Sequence, residues 1–262
     1  MDRLTDAGPR HRSLRVEQMQ EHVIIWDLET VPDLEAVAAV SDLEGRSETE
    51  VRDELGDKFP KLIFHRIACI GALIASRAPA GWQVEAIGAP HIGERSERDL
   101  IQAFVDRIDE LRPRLVTFNG SSFDLPVLRY RAMINKVSAP GLAARSYFNR
   151  YTDDALDLCD ALSSFSPRAK ASLHELCRVL NLPGKPDGID GSQVETYYLA
   201  GRIKEVAEYC ETDVVNTYRV WLRYELFRGG LAPQAYAQCE ANLAEWISAR
   251  AGSKQHLMAL IR

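Results

Sequence analysis

No apolar run in this 262-residue chain approaches a membrane span, and its N-terminus has no signal-peptide core. Cysteine is sparse. Cys69, Cys159, Cys177, Cys210 and Cys239 are scattered, odd in number and never spaced as C-x-x-C. That excludes a disulfide framework and a zinc knuckle. His174 and Cys177 stand at i, i+3 on an expected helix, but no second pair completes a metal site, so packing and surface placement account for them. There is no excess of basic residues: 32 Lys and Arg stand against 38 Asp and Glu, for a formal net charge of −6. A strongly basic nucleic-acid binder is excluded, whereas a local basic groove is not. Internal repeats and low-complexity tracts are also missing. The expectation is a reduced, cytoplasmic protein with no membrane partner and a loose polar tail over residues 1–20.

The remaining sequence alternates strand and helix patterns. Glu21 to Asp27 reads as a strand stopped by Pro32. Residues 33–61 read as an acidic insertion over the end of that strand, with helical spacing at Leu34–Val40 and Glu48–Leu55. Leu62–Ser76 and Trp82–Ile87, joined by Pro79-Ala80-Gly81, read as a hairpin. Apolar residues at Leu100, Ile101, Phe104, Val105, Ile108 and Leu111 give a helix over 95–111. A short strand Leu115–Phe118, a helix from Ser122 to Asn135, a loop over 139–150 and a short strand Ala155–Leu158 follow. Two Ser-x-x-Glu patterns, Ser172/Glu175 and Ser192/Glu195, predict capped helix starts. Between them lies the turn-rich loop 181–188. A long helix spans Ile203–Phe227, and one or two terminal helices occupy 232–262. The fold class implied is α/β: a mixed sheet, with an antiparallel hairpin plus parallel strands, and helices on both faces.

Carboxylates punctuate this pattern. Asp27 and Glu29 are i and i+2 on the first strand and project to one side. Two like charges that close repel unless a proton or a cation intervenes, and oxygen ligands suit Mg²⁺ or Mn²⁺. A buried strand ending in a solvated acidic turn would carry the same triplet. Asp124 follows the strand Leu115–Phe118. It emerges beside Asp27 and Glu29 if the two strands are parallel neighbours, or it is simply an acid favoured by a helix N-terminus. Asn119-Gly120 is either a turn or a contact to phosphate or sugar. Tyr209 and Asp213 share one face of the long helix, and a carboxylate on an apolar face needs a partner. A slight roll of the helix into solvent would satisfy it too. Glu211 points elsewhere and is expected to be solvated.

Asp27-x-Glu29, Asn119-x-x-x-Phe123-Asp124 and Tyr209-x-x-x-Asp213, in that order, resemble the three motifs of the DEDD exonuclease superfamily, in its DEDDy branch. The middle motif and the run Tyr209-Cys210-Glu211-Thr212-Asp213-Val214 are similar to bacterial stand-alone proteins related to the proofreading domain of family B DNA polymerases. Phe64-His65-Arg66-Ile67 and Gly191-Ser192-Gln193-Val194 also resemble that family. The resemblance covers about residues 21–228, leaving 229–262 as a helical extension. It implies an RNase H-like fold and 3′-5′ exonuclease activity on single-stranded nucleic acid, releasing 5′-mononucleotides with two divalent cations, Mg²⁺ or Mn²⁺. Asp27 would bridge both ions, Glu29 and Asp213 would complete the one carrying the nucleophilic water, and Asp124 would hold the second. Tyr209 would orient the attacking water. Asn119 and the backbone at Thr30 would position the terminal nucleotide, with Leu34 or Phe123 against its base. Arg129, Arg131, Lys136, Arg168 and Lys170 are the candidate phosphate contacts, or equally solvated surface cations.

The polymerase-like motifs favour DNA over RNA, by analogy alone. An exoribonuclease or short-oligonucleotide hydrolase would use the same site, because the sugar is read at the 2′-hydroxyl. A nucleic-acid-binding module without turnover is the rival of another class. A role in DNA repair or replication, with an unspecified partner, is an expectation of the same analogy.

Overall fold

The central strand is β1 (His22–Pro32), whose Val23, Ile24, Ile25 and Trp26 are almost wholly buried. Residues on both of its faces are apolar because both faces are covered. The computed structural model describes residues 20–56, 59–184 and 191–261. After β1 the elements run α1 (Leu34–Val40), α2 (Glu48–Leu55), β2 (His65–Ala78), β3 (Gly81–Gly88), α3 (Glu97–Leu111), β4 (Arg114–Thr117), α4 (Asp124–Ile134), α5 (Pro140–Ala144) and β5 (Ala155–Asp157). Then come α6 (Leu158–Leu162), α7 (Leu173–Val179), α8 (Val194–Leu199), α9 (Ile203–Phe227) and α10 (Pro233–Ser248), and a 3₁₀ helix at Gln255–Ile261.

The sheet order is β3-β2-β1-β4-β5, with the β1–β2 and β2–β3 pairs antiparallel and the β1–β4 and β4–β5 pairs parallel. This is the RNase H-like mixed sheet that the resemblance implies. Val23 and Ile25 point to the core that α9 fills, while Ile24, Trp26 and Leu28 point to the core of α3 and α4. The strand runs on through Asp27 and Glu29 to Pro32, further than the expected end at Asp27. The cause is β2, which pairs with it as far as His65↔Pro32. Alternation therefore sends Asp27 and Glu29 to the α9 side.

That side is close. Gly71 lies opposite Asp27 in the register, and a Cβ there would meet Cys210 Sγ at 2.6 Å and Val214 Cγ2 at 3.0 Å. Glycine is what lets α9 lie against the sheet at this level. Gly71→Ala is expected to push α9 outward, costing about 1–3 kcal/mol. Urea unfolding checks it; unchanged stability would show that the helix is free to shift.

Residues 231–261 contribute to the main core. Cys239, Leu243, Ile247, Leu257 and Leu260 are buried in it. On the edge strand β3, the N–H groups of Trp82 and Val84 donate to Cys239 Sγ and Asn242 Oδ1 of α10, which covers part of an edge otherwise open to pairing. Two local readings change. Ser172 caps α7 with the full Ser-x-x-Glu box, whereas α8 starts at Val194 after a 3₁₀ turn, with Gln193 at its cap instead of Ser192. Glu195 reaches across to Arg52 of α2 at 2.5 Å. The 139–150 segment, expected as loop, holds the short α5. Residues 1–19 of the expected tail and residues 185–188 of the expected 181–188 loop lie outside the described residues, and among those described no helix is long and apolar enough to cross a membrane.

Candidate active site

The first pair of carboxylates and the long helix meet where β1 ends its pairing with β4. Carboxylate oxygens of Asp27 and Glu29 and the Sγ of Cys210 lie within 4.8 Å of one another. Beside them, one turn of α9 presents Tyr209 and Asp213. The Tyr209 phenol is held well above its ordinary range by burial first, then by the charges of Asp213, Glu29 and Asp27 and its hydrogen bond with Asp213. These effects all favour the protonated phenol. Cys210 is fully buried, and its thiol is pushed well up, chiefly by its hydrogen bond with Cys69 and then by burial. It points at the backbone oxygen of Asp27, 3.7 Å away, and its Oδ2, 3.9 Å away. Asp27 and Glu29 offer the oxygens that hard cations prefer.

Asp124 arrives from the other direction. β4 pairs with β1 only as far as Val116↔Ile25. Beyond that point the Leu28 N–H, between Asp27 and Glu29, donates to Asp124 Oδ1 at 3.0 Å. One hydrogen bond thus ties the start of α4 to the acid-bearing stretch of β1. Asp124 is 3% exposed. Burial pushes its carboxyl up to about 7, against the pull of the Leu28 N–H, and the charge of Asp157 adds to the rise. A nearby cation would favour its ionised form.

The loop between β4 and α4 turns on two residues. Asn119 is left-handed (φ 70°), and a Cβ on Gly120 would strike the Thr117 side chain at 2.6 Å. What holds the loop is Asp157 at the carboxyl end of β5. It accepts from Asn119 N (2.8 Å), Ser121 N (2.9 Å) and Ser121 Oγ (2.7 Å) while capping α6. Buried Asp160 takes the Ser121 hydroxyl at 2.7 Å and pairs with Arg150 and Lys170. Sequence reasoning misses these two acids. The signal that could have found Asp157 is an aspartate closing a short apolar strand; Asp160, inside α6, carries no such signal.

The remaining candidates fall in different places. Thr30 Oγ1 hydrogen-bonds His65 Nδ1 at 2.9 Å, and the His65 ring meets Phe123 edge-on at 5.0 Å. His65, part of a segment without an assigned role, thus joins the end of β1 to the start of α4. Exposed Phe59 extends this aromatic group. Leu34 opens α1 and is partly exposed. Asn119 is exposed, with its Oδ1 accepting from Lys170 Nζ at 3.0 Å. Arg129 lies over the Phe148 ring at 4.6 Å, and no described contact joins it to the acids. Arg131, a candidate phosphate contact, is instead buried between Glu97 and Asp33. Glu211 is not solvated: it is buried and clasped by Lys254 at 2.5 Å and His256 at 2.9 Å. Burial works against its charge, but His256 and Lys254 hold its carboxyl below the usual value.

Asp27 and Glu29 thus stand at the carboxyl end of β1 in a mixed sheet, with Tyr209 and Asp213 of α9 beside them. Residues 57–261 match the family described as a predicted 3′-5′ exonuclease related to the exonuclease domain of PolB, and the chain belongs to that family of 3′-5′ exonucleases. Asp27 and Glu29 lie outside the matched span. The chain is also 28% identical over 142 residues to the catalytic polypeptide of DNA polymerase epsilon from Aspergillus fumigatus, and equally to that from Emericella nidulans. Each alignment takes in 50% of this chain and 6% of the polymerase. Among solved structures, E. coli exonuclease I in complex with a 5cy-dT13 oligonucleotide is similar with a TM-score of 0.37 at 14% identity, covering 84% of this chain and 42% of that one. The product-bound structure of exonuclease I gives a TM-score of 0.36 at 14% identity over 76% and 47%.

Proposed function

We propose that this exonuclease removes nucleotides one at a time from the 3′ end of single-stranded nucleic acid, with DNA preferred to RNA, and releases 5′-mononucleotides. The observation that carries the reading is the hydrogen bond from Leu28 N–H to Asp124, which gathers three carboxylates around one stretch of β1. Asp213 adds a fourth from α9. This all-oxygen set fits Mg²⁺ or Mn²⁺, and Asp27, Glu29, Asp124 and Asp213 would hold two such ions. When bound, the ions supply Lewis-acid stabilisation to the attacking and leaving oxygens of an in-line displacement.

The chain's own groups do the rest. Tyr209, protonated and hydrogen-bonded to Asp213, orients the attacking water. Burial first, and then the charges of Asp213, Glu29 and Asp27, hold its phenol up, so it serves as a hydrogen-bonding hydroxyl and need not be a base. Asn119 and the backbone at Thr30 position the terminal nucleotide, and Leu34 or Phe123 packs on its base. His65 keeps Thr30 and Phe123 in register with each other.

The test uses matched 5′-labelled single-stranded DNA and RNA with Mg²⁺, Mn²⁺ or chelator, alongside the Asp27→Ala protein. The expected result is a metal-dependent ladder shortening from the 3′ end, faster on DNA and absent in the variant. An equal or faster ladder on RNA would assign the site to RNA. Cleavage that persists in Asp27→Ala would remove Asp27 from the site.

A further inference from the structure

We infer that Tyr151 and Phe165 form a stacking track, flanked by Arg150 and Lys170, for the nucleotides that precede the 3′-terminal one. The two rings lie 4.9 Å apart at 56°. They are exposed, Tyr151 at 76% and Phe165 at 40%, although aromatic rings ordinarily bury their area. Their placement is built in. Ser164 and Phe165 follow α6 with left-handed backbones, φ 51° and 60°, where glycine would be the relaxed choice. The Phe165 N–H returns to the Asp160 carbonyl at 2.8 Å, closing the helix and turning the ring outward against Tyr151.

The charges beside the rings are equally fixed. Asp160, 1% exposed, accepts both Nε and Nη2 of Arg150 at 2.6 Å, and Lys170 Nζ at 3.2 Å. One buried acid thus holds two partly exposed cations at the surface. Arg150 also lies 5.6 Å from the Phe165 ring centre. Lys170 in turn donates to Asn119, so the patch is continuous with the loop that leads to Asp124. Exposed rings with cations beside them suit a single strand, whose bases can stack on the rings and whose phosphates can meet positive charge. A duplex keeps its bases stacked on one another and could not use the rings.

The track rests on the single-strand reading of the site, and the two are tested apart. The full chain is titrated with fluorescein-labelled dT12 and dT2 by anisotropy, with Ca²⁺ in place of Mg²⁺ to keep the strands intact. Wild-type protein is expected to hold dT12 at least about tenfold tighter than dT2, roughly the effect of one stacked base. In Tyr151→Ala with Phe165→Ala that gain should fall below about threefold, and Tyr151→Trp with native Phe165 should retain it. An unchanged melting temperature guards against misfolding. A double variant that keeps the full gain, or a wild type with no gain from length, would overturn the track. The ladder assay decides separately whether the exonuclease acts on single strands.

Discussion

Asp213→Asn is expected to lower the turnover of a single-stranded oligonucleotide by about 10³-fold, close to 4 kcal/mol of transition-state stabilisation, while leaving the fold in place. The substitution keeps the shape and one oxygen but removes the charge that a cation needs. Its effect on stability should have the opposite sign. Tyr209 senses the charges of Asp213, Glu29 and Asp27 together, so in chelator these acids repel one another and the variant should melt at or above the wild-type temperature. Adding Mg²⁺ should stabilise the wild type more than the variant, by mass action on the folded state. Turnover assays and melting curves with and without chelator check both parts. Unchanged turnover would remove Asp213 from the cation set.

Arg131→Ala is expected to cause the largest loss of stability, about 3–5 kcal/mol, or roughly 10 °C for a chain of this size. Arg131 is 3% exposed. Its Nε and Nη2 meet the two oxygens of Glu97 at 2.7 and 2.6 Å, and Nη1 meets Asp33. Glu97 also accepts from Ile67 N and from Asn135 Nδ2. Asp33 caps α1, so this one cation joins the acidic insertion to α3, α4 and β2. Removing it leaves two acids out of water with no counter-charge. Pairing Arg131→Met with Glu97→Gln should cost less than Arg131→Ala alone, since fewer uncompensated charges remain. Urea midpoints of the single and paired variants measure the difference; equal midpoints would show that water reaches the acids.

Much of this is legible without the fold. Period-two alternation puts Asp27 and Glu29 on one side, and helical spacing puts Tyr209 and Asp213 on one face. Both are local rules, and both faces turn toward each other in the structure. The insertion's helices fall at Leu34–Val40 and Glu48–Leu55 as their apolar spacing implies. Where local rules fail, the cause is a partner far along the chain. Glu211 sits on a helix face that spacing alone leaves in solvent, but the turn carrying Lys254 and His256 folds over it. Arg129 and Arg131 are indistinguishable as neighbouring cations in α4, yet one lies over Phe148 and the other is sealed between two acids.

The amino-acid sequence by itself determined the strands and helices, the three spaced motifs and the chemistry their oxygens offer, because those depend on residue type and on periods of two and 3.6. Only the tertiary structure decided that the motifs come together. Parallel pairing of β4 with β1 brings Asp124 to Leu28, a glycine opposite Asp27 lets α9 close in, and Asp157 and Asp160 pin the loop between them. Each of these depends on residues tens to more than a hundred positions apart, which no local period encodes.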